Sequence, residues 1–320
     1  MIIRGDARRL PLPNEIVDAV VTDPPYELGF MGKRWDRAGV AYDPATWAEA
    51  YRVLKRGGRL LAFGGNRTHH RIWCAIEDAG FVIEDTIMWL YGSGFPKHRS
   101  KLKPAYEPIV VARKGPVTPL NIDSCRIGTA KEGDPYRFVG TPKSRNVYAQ
   151  DSWTKEHWRG QPINPNEGRW PANVVLDEEA AEALDAQAGT SGASRFFYVA
   201  KASRAERNAG LEGMPRRPGG SNAKGLTADV ARGIDRNRPV ENHHPTVKPV
   251  ALMRWLVRLV TQSGDLVLDP FGGSGTTGVA CTLEGRRCIL VDNEPEYCEI
   301  AKHRIAATPL SLFAAVGVGD

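Results

Sequence analysis

Cysteine is scarce in this chain. Cys74, Cys125, Cys281, Cys288 and Cys298 are the five in 320 residues, and no two form a Cys-x-x-Cys pair. That argues against a disulfide scaffold and against a structural zinc site, and predicts buried reduced thiols. No apolar run approaches the roughly 20 residues that a membrane span needs. Met1-Ile2-Ile3-Arg4-Gly5-Asp6 enters a charged segment at once, so no secretory signal is expected and a cytoplasmic location is. The pairs His69-His70 and His243-His244 lack carboxylate–histidine spacing, so no metal is expected. No Gly-Lys-Ser or Gly-Lys-Thr follows a glycine-rich loop, which argues against a phosphate-binding P-loop. Internal repeats are absent as well. What remains is ordinary for a globular chain, with 42% hydrophobic and 25% charged residues. A net charge of +6 mildly favours a polyanionic partner.

The most informative stretch is Thr22-Asp23-Pro24-Pro25-Tyr26, which follows the strand-like run Val17 to Val21. Two prolines end the strand and stiffen the turn. A carboxylate, a backbone carbonyl and an aromatic face then stand at a strand's carboxyl end, where open α/β sheets bind ligands. That set suits the exocyclic amino group of a nucleobase. Asp23 and the Pro24 carbonyl would accept its two hydrogens while Tyr26 stacks on the ring.

Near the other end, Asp265 to Pro270 reads as a second buried strand. It runs into Phe271-Gly272-Gly273-Ser274-Gly275-Thr276-Thr277-Gly278 and then a helical stretch. Gly273, Gly275 and Gly278 match a dinucleotide-type fingerprint, and Asp292 lies at the next strand's end, placed for ribose hydroxyls. Alone, this half fits a nicotinamide enzyme nearly as well as a methyl-transfer enzyme. Asp269 ahead of the glycines suits an ammonium and would repel a pyrophosphate. The Asp23–Tyr26 turn has no role in hydride transfer.

Three motifs in order carry a resemblance: Asp23-Pro24-Pro25-Tyr26, His244-Pro245-Thr246-Val247-Lys248-Pro249, and Asp269-Pro270-Phe271-Gly272-Gly273-Ser274-Gly275-Thr276-Thr277. The chain resembles the β group of S-adenosylmethionine-dependent amino-group DNA methyltransferases over roughly residues 1–115 and 240–306. Gly29 to Asp36 and Phe197 to Arg204 look like phage and prophage members. The resemblance implies a doubly wound, mostly parallel Rossmann-like α/β sheet in permuted order, the catalytic half (1–115) first and the cofactor half (240–320) last. An inserted target-recognition region, 116–239, would lie between them. It implies S-adenosylmethionine as cofactor, lined by Phe271, Gly273, Gly275 and Thr276, with Asp269 at the ammonium. Asp6 would lie near the adenine, and Thr246 and Lys248 would close over the cofactor, Lys248 on its carboxylate. Asp at the first motif position goes more often with adenine N6 than with cytosine N4. Double-stranded DNA is the implied partner in a bacterial, phage or prophage setting, with a homodimer and a separate restriction nuclease left open.

Residues 195–240 carry ten Lys/Arg against four Asp/Glu. Arg204, Arg207, Arg216 and Arg217 are the expected phosphate contacts there. Trp35 either fills the space of a flipped base or anchors its loop, as does Phe30. Apolar periods are short between 116 and 240, apart from strand-like runs at 172–176 and 196–200 and a helix-like run at 177–187, so this region reads as an insert or a small domain with long loops rather than as half of the sheet. Residues 209–240 are expected to be its most mobile part, and removal of 116–240 should spare the catalytic fold. Within the rest, Pro44 to Leu54 reads as a helix stopped by Gly57-Gly58. Phe81–Leu90 and Tyr106–Ala112 read as antiparallel strands.

Two rival classes stay open, a nicotinamide oxidoreductase and a catalytically inert DNA-binding protein, and a methyltransferase acting on RNA or protein is open as well. Tight NAD binding would choose the first. The intact Asp23–Tyr26 turn counts against the second. Cytosine carbon-5 methylation would need a thiolate, usually beside proline, and the chain has no Pro-Cys pair.

Overall fold

The computed structural model describes residues 1–29, 34–94, 99–128, 168–188, 192–200, 204–218 and 239–309. Phe30 and residues 219–238 of the stretch expected to be mobile lie outside them, as do the side chains of Trp35 and Arg204. The strands are β1 (Ile2–Arg4), β2 (Val17–Thr22), β3 (Leu54–Phe63), β4 (Val82–Leu90), β5 (Tyr106–Arg113), β6 (Val174–Asp177) and β7 (Tyr198–Ala200). After a two-residue ribbon, β8 (Arg217–Pro218) with β9 (Pro239–Val240), come β10 (Leu266–Asp269) and β11 (Arg287–Asp292). Nine of them form one sheet in the order β1-β11-β10-β2-β3-β5-β4-β6-β7. Every pairing in it is parallel except those of β5, which runs antiparallel to β3 and β4.

Topology alone therefore gathers the site. The carboxyl ends of β1, β2, β3, β4, β10 and β11 lie at one edge, together with the amino end of β5. That edge holds Asp6, Asp23, Asp269 and Asp292, brought together from both ends of the chain.

Alternate side chains of the central strands go to opposite faces, as a sheet covered on both sides requires. Val20, Leu60 and Leu268 join Trp47, Ile72 and Ile76 from helices Pro44–Val53 and His69–Asp78. Val21, Leu61 and Val267 join Leu252, Trp255, Leu256 and Ala280 from helices Val250–Val260 and Thr276–Leu283. Pro44–Val53 starts where the sequence allows: Asp43 accepts from Ala45 N at 2.9 Å and Pro44 occupies the first turn.

Two expectations are corrected. The glycine pair 57–58 does not close a helix. The helix ends at Val53, and β3 begins at Leu54 and runs through both glycines. Gly57 has φ +82°, and a Cβ on Gly58 would lie 2.7 Å from the Asp18 carbonyl, so the pair lets β3 lie tightly on β2. Second, residues 116–239 do not all stand outside the sheet. β6 and β7 extend it beyond β4, and Val175 is fully buried. Tyr198 stacks on Trp255 at 5.6 Å, and the Asn121 side chain donates to the carbonyls of Arg258 and Thr261. These short strands borrow their apolar partners from the helix at 250–260, so their own sequence shows little periodicity. No helix among the described residues is long and apolar enough to cross a membrane.

Candidate active site

A cavity of about 1110 Å³ opens at the carboxyl edge. Asp23, Pro24, Pro25, Tyr26 and Glu107 line it, as do Asp6, Phe271, Gly273, Thr276 and Asp292.

The turn after β2 is held from several sides. The Thr68 hydroxyl donates to the Tyr26 carbonyl at 2.8 Å. A Cβ on Gly65 would come within 3.2 Å of the Tyr26 side chain, so a glycine is needed beside the ring. Glu27 takes a left-handed φ of +55°, and its carboxylate accepts from Gly39 N at 2.8 Å. Buried Asp36 accepts from Glu27 N at 2.9 Å. These bonds over-determine a strained backbone, which lets it persist.

Asp23 sits in a charged network. Lys248 Nζ donates to Asp23 Oδ2 at 2.7 Å and lies 3.3 Å from Glu107 Oε2. The Tyr26 hydroxyl donates to Glu107 Oε2 at 2.8 Å. The ammonium also stands over the rings of Phe63 and Tyr26, at 4.8 and 5.2 Å. Burial pushes the Asp23 carboxyl up, and the nearby Lys248 charge pulls it back. Burial would lower Lys248, but Asp23 and Glu107 outweigh it and hold the ammonium above its ordinary value. Asp23 Oδ1 is buried with no hydrogen-bond partner among the described residues. Lys248 thus lines the cavity in contact with Asp23 and Glu107.

Asp269 also lines the cavity and is held by three donors. Both its oxygens are engaged: Thr22 Oγ1 and Thr277 Oγ1 each donate at 2.6 Å, and Phe271 N at 3.1 Å. Burial pushes its carboxyl up to about 6. It straps the end of β2 to the glycine loop. Asp292 accepts from Gly273 N at 2.8 Å and from Glu294 N at 2.9 Å. A carboxylate has about four acceptor sites, so each oxygen keeps capacity for a ribose hydroxyl.

The glycine loop is packed where its sequence demands it. Gly273 has φ +48°, and a Cβ there would lie 2.9 Å from His244 Nε2. Gly275 has φ +82° beside Ala301. Thr276 Oγ1 and the Ser274 carbonyl accept from buried Arg304, at 3.1 and 2.7 Å. Asp6 lines the cavity but is paired with Arg8 at 2.7 Å, which holds its carboxyl below the usual range. Phe271 is half-buried and Thr246 exposed, both on the cavity wall.

Of the expected phosphate contacts, Arg207 turns inward. It donates to the His244 carbonyl at 2.7 Å and is desolvated there, so it braces the 242–248 segment rather than the surface. Arg216 and Arg217 are exposed and paired with Glu241 and Glu296. Glu107, His244 and Arg304 were not foreseen. For Glu107 a signal existed: a carboxylate at the amino end of an expected antiparallel strand must lie at the ligand edge. His244 stood in a motif, but nothing pointed to its packing on Gly273, and Arg304 carried no signal, since a buried guanidinium reads as surface charge.

The sheet order and this strand-end site define a methyltransferase-type α/β protein. PvuII DNA methyltransferase (cytosine-N4-specific) shares the fold, with a TM-score of 0.55 at 19% identity over 95% of this chain and 85% of that one. The chain belongs to the DNA methylase family of N6 and N4 methyltransferases, whose model matches residues 17–303. Type II methyltransferase M.HpaI of Haemophilus parainfluenzae is 25% identical over 301 residues, 92% of this chain and 69% of its own length. DNA adenine methyltransferase YhdJ of Escherichia coli is 24% identical over 316 residues, 95% of this chain and 82% of its own.

Proposed function

We propose that this DNA methylase transfers a methyl group from S-adenosylmethionine to adenine N6 of a base flipped out of duplex DNA. The carrying observation is the buried Asp23 Oδ1 without a donor, in the cavity that Tyr26 and Glu107 also line. Buried acceptors are normally satisfied, and an exocyclic amino group supplies the missing donor. Asp23 and the Pro24 carbonyl would each accept one amino hydrogen, turning the nitrogen lone pair toward the methyl carbon. Tyr26 would stack on the ring, worth about 1–3 kcal/mol, and Pro25 would stiffen the turn.

S-adenosylmethionine supplies the electrophilic methyl. The N–C bond forms as the S–C bond breaks, and its electrons go to sulfur. The amino group becomes cationic as it attacks, so the Asp23 charge stabilises the transition state more than the ground state. The nitrogen then gives up a proton. Asp292 would hold the ribose hydroxyls, Gly273 and Gly275 would admit the cofactor closely, and Phe271, Asp6 and Thr246 would wall it. Lys248, on Asp23, would keep the acceptor carboxylate ionised.

Asp rather than Ser at position 23 and the likeness to YhdJ, named a DNA adenine methyltransferase, support adenine. The likeness to PvuII methyltransferase, named cytosine-N4-specific, keeps cytosine N4 as the second reading. Target reading is assigned to residues 116–239, and a cognate nuclease would be a separate chain. Incubating unmethylated DNA with labelled cofactor and analysing the nucleosides tests this reading. N6-methyladenine is expected, and N4-methylcytosine would shift it to the second.

A further inference from the structure

The loop between β4 and β5 rises from the same edge as Asp23. Within it Leu102 is 94% exposed, the most exposed large apolar side chain among the described residues. The others, Met1, Val82, Val117 and Trp170, stand away from the cavity, whereas Leu102 lines it with Lys101 and Lys103. Arg67 and Arg8, exposed, line it too. A leucine held in water costs hydrophobic free energy. Here it is set between two exposed lysines at the mouth of the cavity that reaches Asp23.

We propose that residues 99–104 form the element that enters duplex DNA at the target base. Leu102 fills the space that the base leaves in the stack, and Lys101 and Lys103 sit on the flanking phosphates. This rests on the amino-methyltransferase reading. A base must leave the stack to reach Asp23, and flipping it costs unpairing and unstacking. An apolar wedge between base steps offsets part of that loss, and lysines on either side fix the loop through the backbone. The charge argues for a nucleic acid as occupant, since the apolar tip is flanked by cations. Arg207, turned inward on His244, does not supply this role.

The test starts from unmethylated plasmid DNA treated with the wild-type protein and sequenced to find the modified base. Two short duplexes then carry that site, one with the target base paired and one with it opposite an abasic position. Leu102→Ala should lower transfer on the paired duplex by about tenfold or more while sparing the abasic one, where flipping is already cheap. Leu102→Phe, which keeps a wedge, should restore the paired rate. Lys101→Ala and Lys103→Ala should each lower the slope of log affinity against log salt by about 0.9 on both duplexes. Equal loss on both duplexes, or no loss on the paired one, overturns the wedge. If Leu102 instead docks a second copy of this chain, Leu102→Ala changes the sedimenting mass and lowers both rates alike, which also overturns it. An unchanged salt slope removes the lysines from the proposal. Wild-type protein that methylates no DNA would overturn the reading beneath, a result distinct from active protein indifferent to Leu102.

Discussion

Lys248 Nζ lies 2.7 Å from Asp23 Oδ2, joining residues 225 positions apart. The same ammonium lies 3.3 Å from Glu107, whose carboxylate receives the Tyr26 hydroxyl. One cation is thus shared by two half-buried carboxylates. A pair like this need not add to stability, because desolvation offsets much of the attraction. Its consequence is for charge: Asp23 offers a negative charge to a developing cation only while it is ionised.

The pH–rate profile of single-turnover methyl transfer should show this. Asp23 is pushed up by burial, pulled down by Lys248 and pushed up by Glu107, with Tyr26 also facing it. Lys248→Met removes the downward pull, so the acid limb should move to higher pH, with activity partly recovered by raising the pH. Glu107→Gln removes an upward push, so the limb should move to lower pH. Rates that fall equally at every pH in both variants would reduce the pair to a packing role.

His244 predicts an acid-sensitive fold. Burial pushes its pKa down to about 3 from an ordinary 6.5. Between those values the unfolded chain takes a proton that the folded chain refuses. Its contribution to stability is therefore complete above about pH 6.5 and is lost as the pH falls toward 3. Urea midpoints measured from pH 7 to pH 4 should fall more steeply for wild type than for His244→Asn. Parallel curves would contradict the assignment.

Asp292→Ala should weaken S-adenosylmethionine binding by about tenfold or more, since it removes both the diol acceptor and the partner of Gly273 N. Calorimetry measures it directly. An unchanged affinity would place the ribose elsewhere.

Residues 172–200 should behave as core. Val175→Ala, at a fully buried position between β4 and β7, should cost about 2–3 kcal/mol in urea unfolding. Deleting 116–240 should unfold the protein rather than spare it, because the cut removes β6, β7 and the stack on Trp255. A folded, cofactor-binding deletion product would show that these strands are dispensable.

Much of this was legible in the chain itself. β10 and β11 end apolar runs in Asp and β2 leads directly into Asp23, so the central strands and the two ends of the site could be read locally. β4 and β5 were legible as neighbouring strand-like runs, expected to pair antiparallel. The rest depended on distant partners. β6 and β7 could be read as strands, but not their place in the main sheet: the core face of β6 is completed by Trp255, whose position follows only from the assembled sheet. Gly57 and Gly58 look like a stop signal until β2 lies against them. Lys248 looks like a ligand for an anionic cofactor group, but the nearest anions after folding are Asp23 and Glu107. Arg207 looks like surface charge in a basic stretch, and the carbonyls of Asn242 and His244 draw it inward.

The central claim is that Asp23 acts on the amino group being methylated and not on the cofactor. Methyl transfer to unmethylated DNA by Asp23→Ala, with S-adenosylmethionine affinity measured on the same protein, tests it most directly. The account predicts a loss of about a hundred- to a thousandfold in transfer rate, with cofactor affinity within about tenfold of wild type. Wild-type transfer by Asp23→Ala would contradict it.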